Sequence, residues 1–200
     1  LKIFLGDVTN VRTIREAMKG CKTVFHMASL VKAWTRNPAE YYQVNVEGLK
    51  NVMECALEDG VTKFVYTSSF MAIGPSNGKL NTEETQHDPD HLHNHYERTK
   101  YIAEQLIPAY LNKGLPVITV YPCVIYGPGE ITEGNLVARI VLDFLDRKIP
   151  GILGDGSKVW NYVFITDVVK GHLLAMEKGK VGQKYILGGE NISMGNFFKL

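Results

Sequence analysis

Short β-rich runs alternate with segments of helical periodicity along the whole chain, and this alternation constrains the fold more than any other feature. Leu1–Leu5 reads as a strand, Val11–Met18 as a helix and Thr23–Met27 as a second strand. Asn45–Glu58 reads as a helix, with Leu49, Val52, Met53 and Ala56 at i, i+3, i+4 and i+7. Lys63–Thr67 is the next strand, and after a long polar loop a helix runs from about His95 to Asn112. Gly114 suits that helix as a C-cap and Pro108 is expected to kink it. Val117–Tyr121 is a further strand. Such alternation predicts an α/β fold, a doubly wound parallel sheet covered on both faces. Beyond Tyr126-Gly127-Pro128-Gly129 the pattern shifts to a helix (Asn135–Asp146), a glycine-rich stretch (Gly151–Gly156), a strand (Tyr162–Ile165), a helix (Asp167–Glu177) and a strand (Lys184–Leu187). The expected organisation is a main domain over residues 1–127 and a smaller lobe over 128–200, with about 160–188 returning to the main sheet.

Charge narrows the partners. Lysines plus arginines (22) nearly balance aspartates plus glutamates (21), so no basic field points to nucleic acid or a membrane surface. No apolar run approaches the length of a membrane span. Cys21, Cys55 and Cys123 are widely spaced in apolar surroundings, which suits buried free thiols in a reducing compartment. A cytoplasmic location follows as the expectation, with an organelle address left open. Asn191-Ile192-Ser193 fits a glycosylation acceptor, but no secretory signal accompanies it. The chain starts without Met inside an expected strand and stops at Phe197-Phe198-Lys199-Leu200, like the opening of a helix, so it reads as an internal piece of a longer protein.

In an open parallel sheet, ligands bind outside the carboxyl ends of the strands. Each expected strand ends there in small or polar residues: Gly6-Asp7, His26-Met27-Ala28-Ser29, Thr67-Ser68-Ser69 and Pro122-Cys123. Tyr96 and Lys100, at i and i+4, share one face of the helix that follows the third of these strands. A free phenol titrates near pH ~10, and a neighbouring ammonium lowers that value towards the range useful for proton transfer. A serine hydroxyl, Ser69, beside such a phenol would suit carbonyl–alcohol chemistry. Y-x-x-x-K alone is common on helix surfaces; the shared rim is what gives it chemical meaning.

Other groups have plainer readings. Gly127-Pro128-Gly129 and Gly151–Gly156 are turns, because neither sits between a strand and a helix with phosphate-binding spacing. His87, His91, His93 and His95 are the best metal candidates by composition, but they lie in a polar loop, so no metal site is expected and the loop reads as a border of the substrate cleft. His26 follows a buried strand and reads as structural, Asp167 reads as a helix N-cap, and Thr67 and Ser68 read as backbone support, with Thr67 also placed to touch a cofactor. Trp34, Tyr41 and Tyr42 either line a pocket or pack.

Taken together the motifs resemble the extended branch of the short-chain dehydrogenase/reductase superfamily. The resemblance is carried by Gly6-Asp7-Val8, Val24-Phe25-His26-Met27-Ala28, Asn45-Val46-Glu47-Gly48, Phe64-Val65-Tyr66-Thr67-Ser68-Ser69 and Tyr96-x-x-x-Lys100. Tyr121-Pro122, Val124-Ile125-Tyr126-Gly127-Pro128, Tyr162–Val168 and Tyr185-Ile186-Leu187-Gly188-Gly189 continue it, with dihydroflavonol-reductase-like and farnesol-dehydrogenase-like members nearest in pattern. The resemblance implies a Rossmann-like NAD(P)-binding domain lacking its first βαβ unit, with a small substrate-binding lobe. It implies that Asp7 bonds the adenine with Val8 packed beside it, that Ala28 and Ser29 line the pyrophosphate and ribose, and that Asn45 lies near the nicotinamide. It further implies Ser69 as the substrate-orienting hydroxyl and Tyr96 as general acid/base. Lys100 would bind the nicotinamide ribose and lower the tyrosine pKa, and Pro122 would pack against the nicotinamide.

The family's pyrophosphate-cradling G-x-x-G-x-x-G is absent from these 200 residues, as is the residue that would choose NAD or NADP. Cys123 and Tyr121 stand where many relatives have glycine and arginine. The leading expectation is an NAD(P)-dependent oxidoreductase interconverting an alcohol and a carbonyl. A nucleotide-sugar epimerase or dehydratase is the runner-up, weakened by Tyr121 and Val124, and a non-catalytic nucleotide-binding regulator the third. The expected partner is a small-molecule substrate, hydrophobic in view of Trp34, Phe70, Met71 and Ile73, with a homodimer held open.

Overall fold

The computed structural model describes residues 2–32, 34–132, 134–152 and 154–199. Leu1, Leu153 and Leu200, which the expected strand, glycine-rich stretch and terminal helix include, lie outside the described residues. The main sheet contains β1 (Thr23–His26), β2 (Lys63–Thr67), β3 (Val117–Pro122) and β6 (Lys184–Leu187), in the order β1-β2-β3-β6 and parallel throughout. A second sheet joins β4 (Val124–Tyr126), β5 (Val159–Phe164) and β7 (Glu190–Ser193), with β4 and β5 parallel and β7 antiparallel to β5. The helices are α1 (Val11–Met18), α2 (Ala39–Tyr42), α3 (Gly48–Glu58), α4 (His95–Asn112), α5 (Leu136–Leu145), α6 (Ile165–Lys178) and α7 (Met194–Phe197).

The period of two along the central strands sorts the core into two layers. Phe64, Tyr66 and Val117 face α3 and α4, where they meet Leu49, Met53, Ala103 and Ile107. Val65, Ile118 and Val120 face the other way, onto Ala175 of α6. All six residues of β3 are buried, as a strand covered on both faces requires. The doubly wound parallel sheet read from the sequence is therefore present.

Four local readings change. Residues 2–5 form no strand: Ile3 and Leu5 are 79% and 93% exposed, and no described strand pairs with them. A strand is made by pairing, so an apolar run without a partner stays irregular. The helix expected from Asn45 begins instead as a π-helical segment, Gln43–Glu47, between α2 and α3. Asp167 does not cap α6, whose N-cap is Phe164; it lies within the first turn and pairs with Lys170 at 3.4 Å. β5 pairs with β4 and β7, so in the 160–188 segment only α6 and β6 reach the main sheet.

Of the three free thiols only Cys55 is buried; Cys21 and Cys123 are half-buried. Burial still pushes the Cys123 thiol up to about 11, so it is a poor nucleophile at neutral pH.

Candidate active site

α4 starts where Asn94 caps it: its side-chain oxygen accepts the Glu97 N–H at 2.8 Å. Glu97 in turn accepts the His93 N–H at 2.6 Å and meets His87 Nε2 at 2.7 Å, both side chains of that pair being buried. His87 Nδ1 faces the Asp88 carbonyl at 3.0 Å. A carbonyl only accepts, so Nδ1 carries hydrogen and the remaining proton is shared across the Nε2–Oε1 contact. The loop between β2 and α4 is thus latched beside Tyr96. Gly74 makes room for the latch: a Cβ there would lie 2.8 Å from the His87 ring, and its φ is +88°.

Tyr96 is half-buried and its hydroxyl neighbours that of Ser69. Ser69 also caps the short 3-10 turn Phe70–Ala72, accepting the Met71 N–H at 3.3 Å. The Lys100 ammonium lies 5.8 Å from the Tyr96 ring centre and 5.5 Å from that of Tyr66, and donates to the Thr67 carbonyl at 3.2 Å. The expected lowering of the Tyr96 pKa is not what this geometry gives. Burial raises it and the neighbouring Ser69 hydroxyl opposes, while the ammonium is turned to a carbonyl. Lys100 is 3% exposed, and burial lowers it to about 8 against the opposing charge of Glu104.

Asn45 projects from the π-helical turn into a fully used network. Its oxygen accepts from Ser29 Oγ (3.0 Å) and Leu30 N (2.7 Å), and its amide donates to Leu30 O (3.2 Å) and Thr99 Oγ1 (3.0 Å). The widened turn is what rotates this side chain inward. Asn45 thereby ties the segment after β1 to α4, one residue from Lys100.

Thr67 turns its side chain to the opposite face of the sheet. His172 Nδ1 faces the Val168 carbonyl at 2.8 Å and so carries hydrogen, which leaves Nε2 to accept from the Thr67 hydroxyl at 2.9 Å. Only the Thr67 carbonyl serves the Lys100 side. Asp7 and Val8 lie away from the trio, beside a hollow of about 340 Å³ between α1, β1 and α3. Asp7 Oδ1 accepts from both Thr9 N and Oγ1 at 2.7 Å, and these bonds lower its pKa. Ala28 is exposed, Ser29 half-buried, and Pro122 is buried at the end of β3 opposite Leu187.

Of the expected hydrophobic lining, Trp34 is 72% exposed, but Ile73 packs into the core with Ala72 and Tyr121. Tyr41 is a packing residue that donates to Lys32 O, whereas Tyr42 is 45% exposed. Among the described residues no three His, Cys, Asp or Glu side chains converge on a metal position, and no helix is long and apolar enough to cross a membrane.

His26 is buried, stacked on Tyr66 with ring centres 6.0 Å apart. Burial and then the Lys100 charge lower its pKa to about 4. The unfolded chain takes up this proton near pH 6.5 and the folded chain only near 4, so stability falls as pH drops through that window and is constant above it. The lost stability is roughly 3 kcal/mol. Urea unfolding between pH 7 and 4 should show a shallower acid decline for His26→Phe than for the parent; parallel curves would refute the assignment.

Sequence reasoning missed Glu104, which lies four residues beyond Lys100 and accepts from Ser68 Oγ (2.6 Å), Tyr121 OH (2.6 Å) and Lys184 Nζ (3.3 Å). The signal was legible in the Tyr96, Lys100, Glu104 spacing of four. It also missed the Asn94-x-x-Glu97 cap.

The profile of the NAD dependent epimerase/dehydratase family matches residues 1–188. A Synechocystis protein bearing the name dihydroflavonol 4-reductase is 34% identical over 95% of this chain and 55% of its own length. The sterol demethylase protein B of Methylococcus capsulatus is 32% identical over 97% and 58% respectively. The crystal structure of gox2253 superposes with a TM-score of 0.90 at 37% identity, over 99% of this chain and 59% of that one. The chain thus spans a little over half the length of the curated relatives it matches.

Proposed function

We propose that this chain, which belongs to the NAD dependent epimerase/dehydratase family, carries the acid/base half of an NAD(P)-dependent oxidoreductase interconverting an alcohol and a carbonyl. The observation that carries the reading is the Ser69–Tyr96 hydroxyl pair standing beside a buried ammonium. Lys100 fits a dinucleotide's ribose: an ammonium has three donors, and among the described residues one of them, to Thr67 O, is used. When bound, the nicotinamide supplies or accepts the hydride. In the reducing direction Tyr96, kept protonated by burial, donates its proton to the developing alkoxide, and Ser69 holds the same oxygen. The Lys100 charge stabilises the phenolate left behind.

Ser29, Ala28 and Pro122 would flank the cofactor, and Asp7 and Val8 would meet its adenine end. Asn45 acts in this reading by holding the Ser29–Leu30 segment to α4. Thr67 contributes its carbonyl, through Lys100. The names of the relatives favour an apolar alcohol, as in dihydroflavonol or sterol conversion. Tyr121, buried and bonded to Glu104, gives no support to nucleotide-sugar chemistry at the position where arginine is common.

The test is nicotinamide absorbance in the full-length protein with NAD and NADP against sterols, flavonoid alcohols, short alcohols and nucleotide sugars. Turnover confined to apolar alcohols is the expected result; turnover of nucleotide sugars alone would overturn the reading.

A further inference from the structure

Tyr96, Lys100 and Glu104 form one row on α4, each four residues from the next, and the last member is a carboxylate enclosed by three donors. Its side chain is 9% exposed. Ser68 reaches it from the end of β2, Tyr121 from β3 and Lys184 from β6, so it joins three strands to the helix that carries the candidate acid/base. Lys100 is otherwise surrounded by groups that carry no negative charge: His26 on β1, the rings of Tyr66 and Tyr96, and the Thr67 carbonyl. Burial and then Glu104 hold both Tyr66 and Tyr121 far above the usual phenol range, so both remain neutral. On the far side of Glu104, Lys184 is half exposed and Glu83 is engaged by the Ile186 N–H at 3.0 Å.

We propose that Glu104 is a positioning residue of the site: it is the buried counter-charge that keeps the Lys100 ammonium protonated, while its three donors fix it at that place in the row. This extends the reading of Lys100 as the partner of Tyr96, yet it can be tested without any assay of turnover. Without Glu104 the ammonium would keep the Thr67 carbonyl and the two rings but no charged partner, and its burial favours the neutral amine.

The experiment follows the Lys100 Cε resonance against pH in full-length protein carrying 13C-lysine, assigned with Lys100→Arg. The parent midpoint should lie near 8, and Glu104→Gln should lower it by about one pH unit. At pH 8 that shift reduces the charged fraction from about one half to about one tenth, or roughly fivefold. Tyr121→Phe removes a donor but keeps the carboxylate, so its midpoint should stay close to the parent's. An unshifted midpoint in Glu104→Gln, or equal shifts in the two variants, would overturn the proposal, because the role would then be packing alone. Where Glu104→Gln does not fold, Glu104→Asp with a midpoint at or above the parent's is the supporting result, and one a full unit lower is the contrary one. The alkaline limb of turnover should move with the resonance. A moved resonance with an unmoved limb would leave this proposal standing and remove Lys100 from the catalytic reading.

Discussion

Tyr96→Phe in the full-length protein should lower turnover by about 10²- to 10⁴-fold, the range that a positioned general acid/base supplies. The substitution removes one hydroxyl, the neighbour of Ser69, and leaves the ring against the Lys100 ammonium. The stability cost should therefore be about 1 kcal/mol. Thermal unfolding and nucleotide binding should be close to the parent's while turnover collapses. That separation distinguishes lost chemistry from lost structure. Undiminished turnover in Tyr96→Phe would remove the phenol from the mechanism, whatever became of the fold.

Breaking the His87–Glu97 latch should produce the largest loss of stability. Both side chains are buried, at 0% and 3% exposure, and they meet at 2.7 Å. Removing one partner of such a pair leaves the other without its proton partner in a dry site, which costs about 3–5 kcal/mol. Glu97→Ala also deprives the His93 N–H of its acceptor. For a chain of this size the effect corresponds to a fall in Tm of about 10 °C or more. Glu97→Gln should be milder, because its amide can donate to a neutral His87 Nε2 and its oxygen can still accept from His93. The double variant His87→Ala/Glu97→Ala should lose less than the sum of the single losses, as contacting partners do. Additive losses would mean that the two side chains act independently. Because the latch holds the loop between Ser69 and Tyr96, turnover should fall with stability in these variants, unlike in Tyr96→Phe.

The Tyr96–Lys100 spacing was legible because a helix obeys local geometry: residues four apart share a face wherever the helix ends up. Two strands of the main sheet were legible for a similar reason. Lys63–Thr67 and Lys184–Leu187 are bounded as the apolar runs suggest, the first buried between two neighbours and the second half-buried at the edge of the described sheet. Residues 2–5 show the limit of that reasoning, since their composition suits a strand but no described strand pairs with them. The π-helical turn at Asn45 was not legible, because one extra residue per turn leaves almost no trace in an apolar pattern. Nor was the direction of Thr67, whose hydroxyl goes to His172, 105 residues further along the chain.

By itself, then, the sequence determined the alternation of strands and helices, the Tyr96, Lys100, Glu104 row and the polar residues at the strand ends, because each depends on spacing of a few residues. Tertiary structure decided what those groups become. Lys100 turns to the Thr67 carbonyl and the Tyr96 pKa rises instead of falling, because burial of the phenol outweighs an ammonium engaged elsewhere. Ionisation depends on the solvent and charges around a group, and those are contributed by β1, β2, β3 and β6 from opposite ends of the chain, which only the folded arrangement brings together.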